Sequence, residues 1–187
     1  MKTQKRNIQF LERKEVEALI AGITAEGDRG LRDRALLEVL FSTGLRISEA
    51  LALPKTVIEG RDMRQVLEYT LIGKGGWQRV VFFSPTTLKA IGEFLQVGGK
   101  YLKDDRLFKM TPRCAQQMVK RRASQVGLVK RITPHMFRHS LATDLLRQGV
   151  DVRVVQEFLG HRSISSTQVY THVTNGQLKD IHKKLYK

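Results

Sequence analysis

The chain has 187 residues, 41% hydrophobic and 27% charged, a mixture that suits one compact soluble domain rather than a disordered segment. Thirty-three Lys and Arg stand against 18 Asp and Glu, a formal charge of +15, which points to a polyanionic partner because basic side chains displace the counterions condensed on a phosphate backbone. No apolar run reaches the ~20 residues that span a bilayer, the basic start MKTQKRNIQF lacks the apolar stretch of a secretory signal, and the lone Cys114 rules out an internal disulfide, so a reducing cytoplasm (beside the nucleoid in a prokaryote) is the expected setting.

In chain order, residues 1–9 read as a polar tail or linker remnant. Residues 12–23 place Val16, Leu19, Ile20 and Ile23 on one helical face. A second helix is predicted over 31–43, with Gly44 placed to end it, and a short one over 47–51 before Pro54. Residues 66–72 and 79–83 read as strands joined by the Gly-rich segment Gly73-Lys74-Gly75-Gly76, a hairpin with a lysine in its turn. Ser84-Pro85, Thr111-Pro112 and Thr133-Pro134 each offer an N-cap followed by Pro at the first helical position. Asp151 opens a further helix that Gly160 closes, and Leu178, Ile181 and Leu185 recur at helical spacing behind Asn175. The expected class is mainly α with a small antiparallel β-sheet (α+β). A single domain is expected over 10–175, with 176–187 as a C-terminal helical tail.

Three polar constellations stand out. His135 and Arg138 lie three apart at the start of a predicted helix, so they share a face where backbone N–H groups already favour an anion. Arg46 follows the helix-ending Gly44, with Glu49 three residues on. His161 follows Leu159-Gly160, and nine residues later comes Tyr170 in Ser166-Thr167-Gln168-Val169-Tyr170. Taken singly, each has an ordinary explanation: surface basic residues for the first two, and a packed aromatic ring for the third.

Taken together, TGLRISEALAL (43–53), GKGGWQRVV (73–81), TPHMFRHSLATDLLRQGVDVRVVQEFLGH (133–161) and SSTQVYTHV (165–173) resemble the tyrosine recombinases, the phage-integrase and Xer-type enzymes, over residues 10–175. The resemblance implies that family's catalytic-domain fold and a site-specific breaking and rejoining of DNA. Arg46 and Arg138 match its two arginines, Tyr170 its nucleophile, Lys74 its hairpin lysine, and His135 and His161 its two histidines; Glu49 falls where an acidic residue supports the site. The chemistry demands such residues. Attack at phosphorus builds charge on the nonbridging oxygens, which planar, permanently charged guanidiniums bind bidentately. A phenol with a reference pKa near ~10 needs help to lose its proton, which His135 would accept or relay, and the departing 5′-oxygen needs an acid such as Lys74. His161 would hydrogen-bond a phosphate oxygen. A phosphotyrosine link conserves the ester energy, so neither ATP nor a metal is expected as cofactor, and no Walker loop or carboxylate cluster is present in the sequence.

Double-stranded DNA is therefore the expected partner, with Lys120, Arg121, Arg122, Lys130 and Arg131 as candidate backbone contacts that position without reading sequence. Members of the family usually carry a further helical domain ahead of the catalytic one to clamp the other face of the duplex, and here Met1 lies only a few residues before the first predicted helix; a truncated or a naturally short member both fit. Self-association into a tetramer on paired sites is expected, with the tail either docked on a neighbouring protomer or folded back on its own domain. Two other functions share parts of the pattern: a type IB topoisomerase-like nicking-closing enzyme, and a DNA-binding module without catalysis.

Overall fold

The computed structural model describes residues 10–24, 27–72, 78–99, 105–160 and 175–186. Its elements run α1 (Arg13–Ala21), α2 (Gly27–Thr43), α3 (Ile47–Ala50), a 3-10 turn (Lys55–Ile58), β1 (Leu67–Ile72), β2 (Gln78–Phe83), α4 (Pro85–Gly98), α5 (Pro112–Gln125), α6 (Pro134–Arg147), α7 (Val152–Leu159) and α8 (Asn175–Leu185). The class is the expected one, mostly helix with a single two-stranded antiparallel sheet. Two of the three predicted caps act as such: the Ser84 and Thr111 side chains accept from the backbone N–H of Thr87 and Cys114. Thr133 makes no such bond, although Pro134 still opens α6. Asp151 caps α7 through the Arg153 N–H at 2.7 Å, and Gly160 ends it in the left-handed conformation, φ 66°.

Helix α2 is the axis of the core. In its C-terminal half Ala35, Leu36, Leu37, Val39 and Leu40 are each fully buried, and a helical stretch apolar on nearly every side must be surrounded rather than laid on a surface. It packs against α4, α6 and β2. Each of these large buried side chains contributes about 1.5–3 kcal/mol of apolar stabilisation next to the site.

The sheet pairs Leu67 with Phe83 through to Ile72 with Gln78. On β1 the pattern is one-sided, with Leu67 and Leu71 buried and Glu68, Thr70 and Ile72 exposed. On β2 both faces are covered: Val81 and Phe83 join the main core, whereas Phe82 joins a second cluster with Leu141, Leu145, Val155, Phe158, Leu159, Leu178 and Leu185. That explains the unbroken apolar run Val80-Val81-Phe82-Phe83, since a strand covered on both sides loses the alternation of a half-exposed one.

Helix α8 completes the second cluster, with Leu178 and Leu185 buried and Ile181 partly so. Two polar anchors not foreseen in the sequence fix it: the fully buried His182 ring hydrogen-bonds the Ser42 hydroxyl at 3.1 Å, and the Tyr186 hydroxyl donates to the Phe41 carbonyl at 2.9 Å. Burial lowers the His182 pKa to about 4, so the ring is neutral among Phe82, Phe158 and Tyr186. Among the described residues, no helix is long and apolar enough to cross a membrane.

Candidate active site

The site begins where α2 stops. Gly44 has φ +61°, and a Cβ there would lie 2.6 Å from Leu159 Cδ2 and 3.0 Å from Leu141 Cδ2, so both the backbone conformation and the close approach of α6 and α7 require glycine. Thr43 secures the turn, its hydroxyl donating to the Val39 carbonyl at 2.6 Å and accepting from the Leu45 N–H at 3.2 Å. The reversed chain places Arg46 at the N-cap of α3. Glu49, on the first turn of α3, accepts from the Arg46 N–H at 2.7 Å and from its guanidinium at 3.1 Å. Arg46 keeps 47% of its side chain exposed, which leaves donors open to solvent.

Arg138 is the opposite case, with only 3% exposure. Its Nη1 donates to the Gly44 carbonyl at 2.6 Å and its Nη2 to the Leu159 carbonyl at 2.5 Å. Both acceptors are carbonyls at helix C-termini, which lack helical partners and carry the negative end of the dipole. Neither carries a full charge, so the Arg138 cation is held in place without an ion pair among its hydrogen bonds. Burial, followed by the nearby Arg46 and Arg79 charges, lowers its pKa to about 10; it is still a cation at neutral pH, poised to gain from an arriving anion.

A third guanidinium, absent from the sequence reading, joins them. Arg79 on β2 is 7% exposed, donates from Nη2 to Glu49 Oε2 at 2.7 Å and shares the Leu159 carbonyl with Arg138 through Nη1. Its Nε is buried without a partner. The signal was available in the strand pattern: residues 79, 81 and 83 lie on one face, and Val81 and Phe83 mark that face as inward.

His135 stands one turn before Arg138 on α6 and is more exposed. Its ring meets that of His139 edge to face, 4.5 Å between centroids. Desolvation, then the charges of His139, Arg138 and Arg46, lower its pKa below the usual imidazole value. A neutral imidazole beside two guanidiniums can accept a proton, and the guanidiniums can hold the oxyanion whose formation releases it. The structure thus brings Arg46, Glu49, His135 and Arg138 together. Lys74, His161 and Tyr170 lie outside the described residues. Among the described residues, no group of three His, Cys, Asp or Glu side chains could hold a metal ion.

The candidate DNA-contact residues are elsewhere and not equivalent. Lys120 and Arg131 are exposed, and Lys130 is bonded to Glu15 at 2.9 Å. Arg122 donates Nε and Nη2 to Asp33 Oδ2 at 3.0 and 2.8 Å, Arg121 reaches the same oxygen at 3.3 Å, and Arg32 takes Asp33 Oδ1 at 2.7 Å. Asp33 is fully buried, so Arg122, with 13% of its side chain exposed, is drawn inward; Arg121 stays 58% exposed.

The sequence model of the phage integrase family matches residues 9–177. The chain is 43% identical over 160 residues to the tyrosine recombinase XerD of Corynebacterium glutamicum, covering 81% of this chain and 51% of that protein. It is 37% identical over 183 residues to the XerD of Listeria innocua, covering 92% and 60% respectively; the chain thus spans between half and two thirds of these relatives. Among solved structures it is similar to the XerA recombinase, with TM-score 0.70, 27% identity, and 96% of this chain and 65% of that one covered. It is also similar to XerH in a post-cleavage complex with a palindromic difH substrate, with TM-score 0.71, 27% identity, and 96% and 54% covered. The arginine pocket sits inside the matched region, and the chain belongs to the phage integrase family, that of the tyrosine recombinases.

Proposed function

We propose that this chain is the catalytic part of a site-specific DNA recombinase that cuts and rejoins duplex DNA through a covalent link to Tyr170. The observation that carries the reading is Arg138, buried, fixed by two backbone carbonyls and flanked by Arg46, in a pocket whose positive charge exceeds its one carboxylate. Such preorganised donors stabilise charge that develops on a phosphate in the transition state. Tyr170 Oη attacks the phosphorus, giving its proton to His135. The P–O5′ bond breaks, and Lys74 protonates the leaving oxygen. The products are a 3′-phosphotyrosine and a free 5′-hydroxyl, and the reverse attack by a 5′-hydroxyl rejoins the strand. His161 hydrogen-bonds a nonbridging oxygen, and Glu49 orients Arg46.

The partner is double-stranded DNA, in keeping with the substrate complexes solved for XerH, 27–28% identical to this chain. The exposed Lys120, Arg121 and Arg131, together with Lys130 and the charge of Arg122, meet the duplex backbone. Exchange between two duplexes requires four strand cuts; with one Tyr170 per chain, that calls for a tetramer on paired sites.

The test is a nicked suicide duplex carrying a recombination site. Wild type forms an SDS-stable protein–DNA adduct and Tyr170→Phe forms none. An adduct that survives Tyr170→Phe overturns the assignment of the nucleophile. DNA binding without any adduct returns the chain to a non-catalytic binding module, and relaxation of supercoiled DNA without two-site exchange favours a nicking-closing enzyme.

A further inference from the structure

We propose that Arg79 is a positioning residue that locks β2 onto both halves of the arginine pocket. The inference rests on the phosphoryl-transfer reading of that pocket and adds a residue to it. One amine of Arg79 holds Glu49, which holds Arg46. The other shares with Arg138 the carbonyl of Leu159, the last residue of α7. Arg79 thus touches a partner of each phosphate-binding arginine.

The arrangement is costly unless it serves something. A guanidinium with 5% of its side chain exposed, one nitrogen unpartnered and two like charges near it is destabilising by desolvation and repulsion. A hydrophobic residue at this inward strand position would pack with Val81 and Phe83 at no such cost. What the arginine supplies is a rigid three-way joint: β2 is fixed by its register with β1, α3 through Glu49, and the C-terminus of α7 through Leu159. Two guanidiniums on one carbonyl also fix the distance between their planes. Because both of its partners lead to arginines, Arg79 acts on the charge of the phosphorane rather than on protonation of the leaving group.

Bridging-sulfur chemistry separates these roles. In a 5′-phosphorothiolate duplex the leaving atom is a thiolate, whose conjugate acid has a pKa near ~8.5 and which departs without an acid. Arg79→Gln should slow adduct formation on an ordinary nicked duplex ~10²-fold, as expected for catalytic groups displaced by about an ångström, with DNA affinity unchanged. The deficit should persist on the sulfur substrate, whereas that of Lys74→Ala should largely vanish. Arg79→Lys, which can reach one partner but not fork to both, should remain impaired on both substrates; it carries the same comparison if Arg79→Gln does not fold. Wild-type rates in either variant, or rescue of either by the sulfur leaving group, overturn the proposal. If the wild-type chain itself forms no adduct, the functional reading fails instead. Arg79 is then judged by inorganic phosphate, titrated while the side-chain N–H resonances of Arg46 and Arg138 are followed. Arg79→Gln should weaken that binding about tenfold, and equal affinity refutes the positioning role.

Discussion

Among the described residues, two clusters have the same composition: three arginines and one carboxylate. Around Asp33, Arg32, Arg121 and Arg122 all aim at the carboxylate, and the acid, fully buried on α2, is the centre. Of the three around Glu49, Arg46 and Arg79 reach the acid, whereas Arg138 turns away to the Gly44 and Leu159 carbonyls. In the first cluster the cations neutralise a buried anion that would otherwise be unpaired. In the second, neutral carbonyls hold one buried cation, and its charge stays available. Counting charges does not distinguish the clusters; asking what each guanidinium bonds to does.

Substitutions break this comparison in a defined order. Arg138→Ala should reduce adduct formation by ~10³-fold or more while DNA affinity measured by gel shift stays close to wild type. A loss of affinity large enough to explain the lost cleavage would make Arg138 a DNA-binding residue rather than a catalytic one. Asp33→Ala should do the converse, costing about 3 kcal/mol in chemical unfolding because three guanidiniums lose a buried partner, with cleavage per folded molecule unchanged. Gly44→Ala sits between the two. The forced positive φ and the contact with Leu159 should cost about 1–3 kcal/mol and also slow cleavage, because the carbonyl that holds Arg138 moves; a stability loss without a catalytic one would uncouple the turn from the site.

A pH profile sharpens the point more gently. Desolvation, then the charges of His139, Arg138 and Arg46, hold the His135 pKa down, so its neutral form persists as the pH drops past 6.5, and the acid limb of cleavage should lie below that value. His139→Ala removes one of the lowering neighbours and should shift the limb upward; a downward shift contradicts the electrostatic account. The smallest effect belongs to Arg121→Ala. This half-exposed partner of Asp33 should change stability by no more than about 0.5 kcal/mol and reduce the salt slope of DNA binding by about one.

The order of elements was largely readable in advance because its signals are local. Ser84-Pro85, Thr111-Pro112 and Thr133-Pro134 open α4, α5 and α6, and Gly44 and Gly160 close α2 and α7. Tertiary partners were less readable. Arg121 and Arg122 appear in a basic run that suggests a solvated, DNA-facing edge, yet Asp33, 89 positions from Arg122, draws that guanidinium inward. His182 lies in a Lys-rich tail segment and nevertheless is fully buried against Ser42, 140 positions away. Arg79 stands in a strand next to a lysine that attracts attention, and only its inward phase hints at its place. In each case the partner of the polar side chain is distant in sequence, where periodicity gives burial but not bonding.

The Leu159 carbonyl has a consequence of a genetic kind. It anchors two of the three guanidiniums, yet it belongs to the main chain, so no side-chain replacement at position 159 deletes it. A mutational scan would record that position as one tolerant of other apolar residues, sensitive only to bulk against Gly44. The joint can be lost by changing Arg79 or Arg138, or by unwinding the end of α7, but not by drift at the acceptor itself. A hub built on backbone is hidden from any comparison of amino-acid identities, and for the same reason it is shielded from most single substitutions.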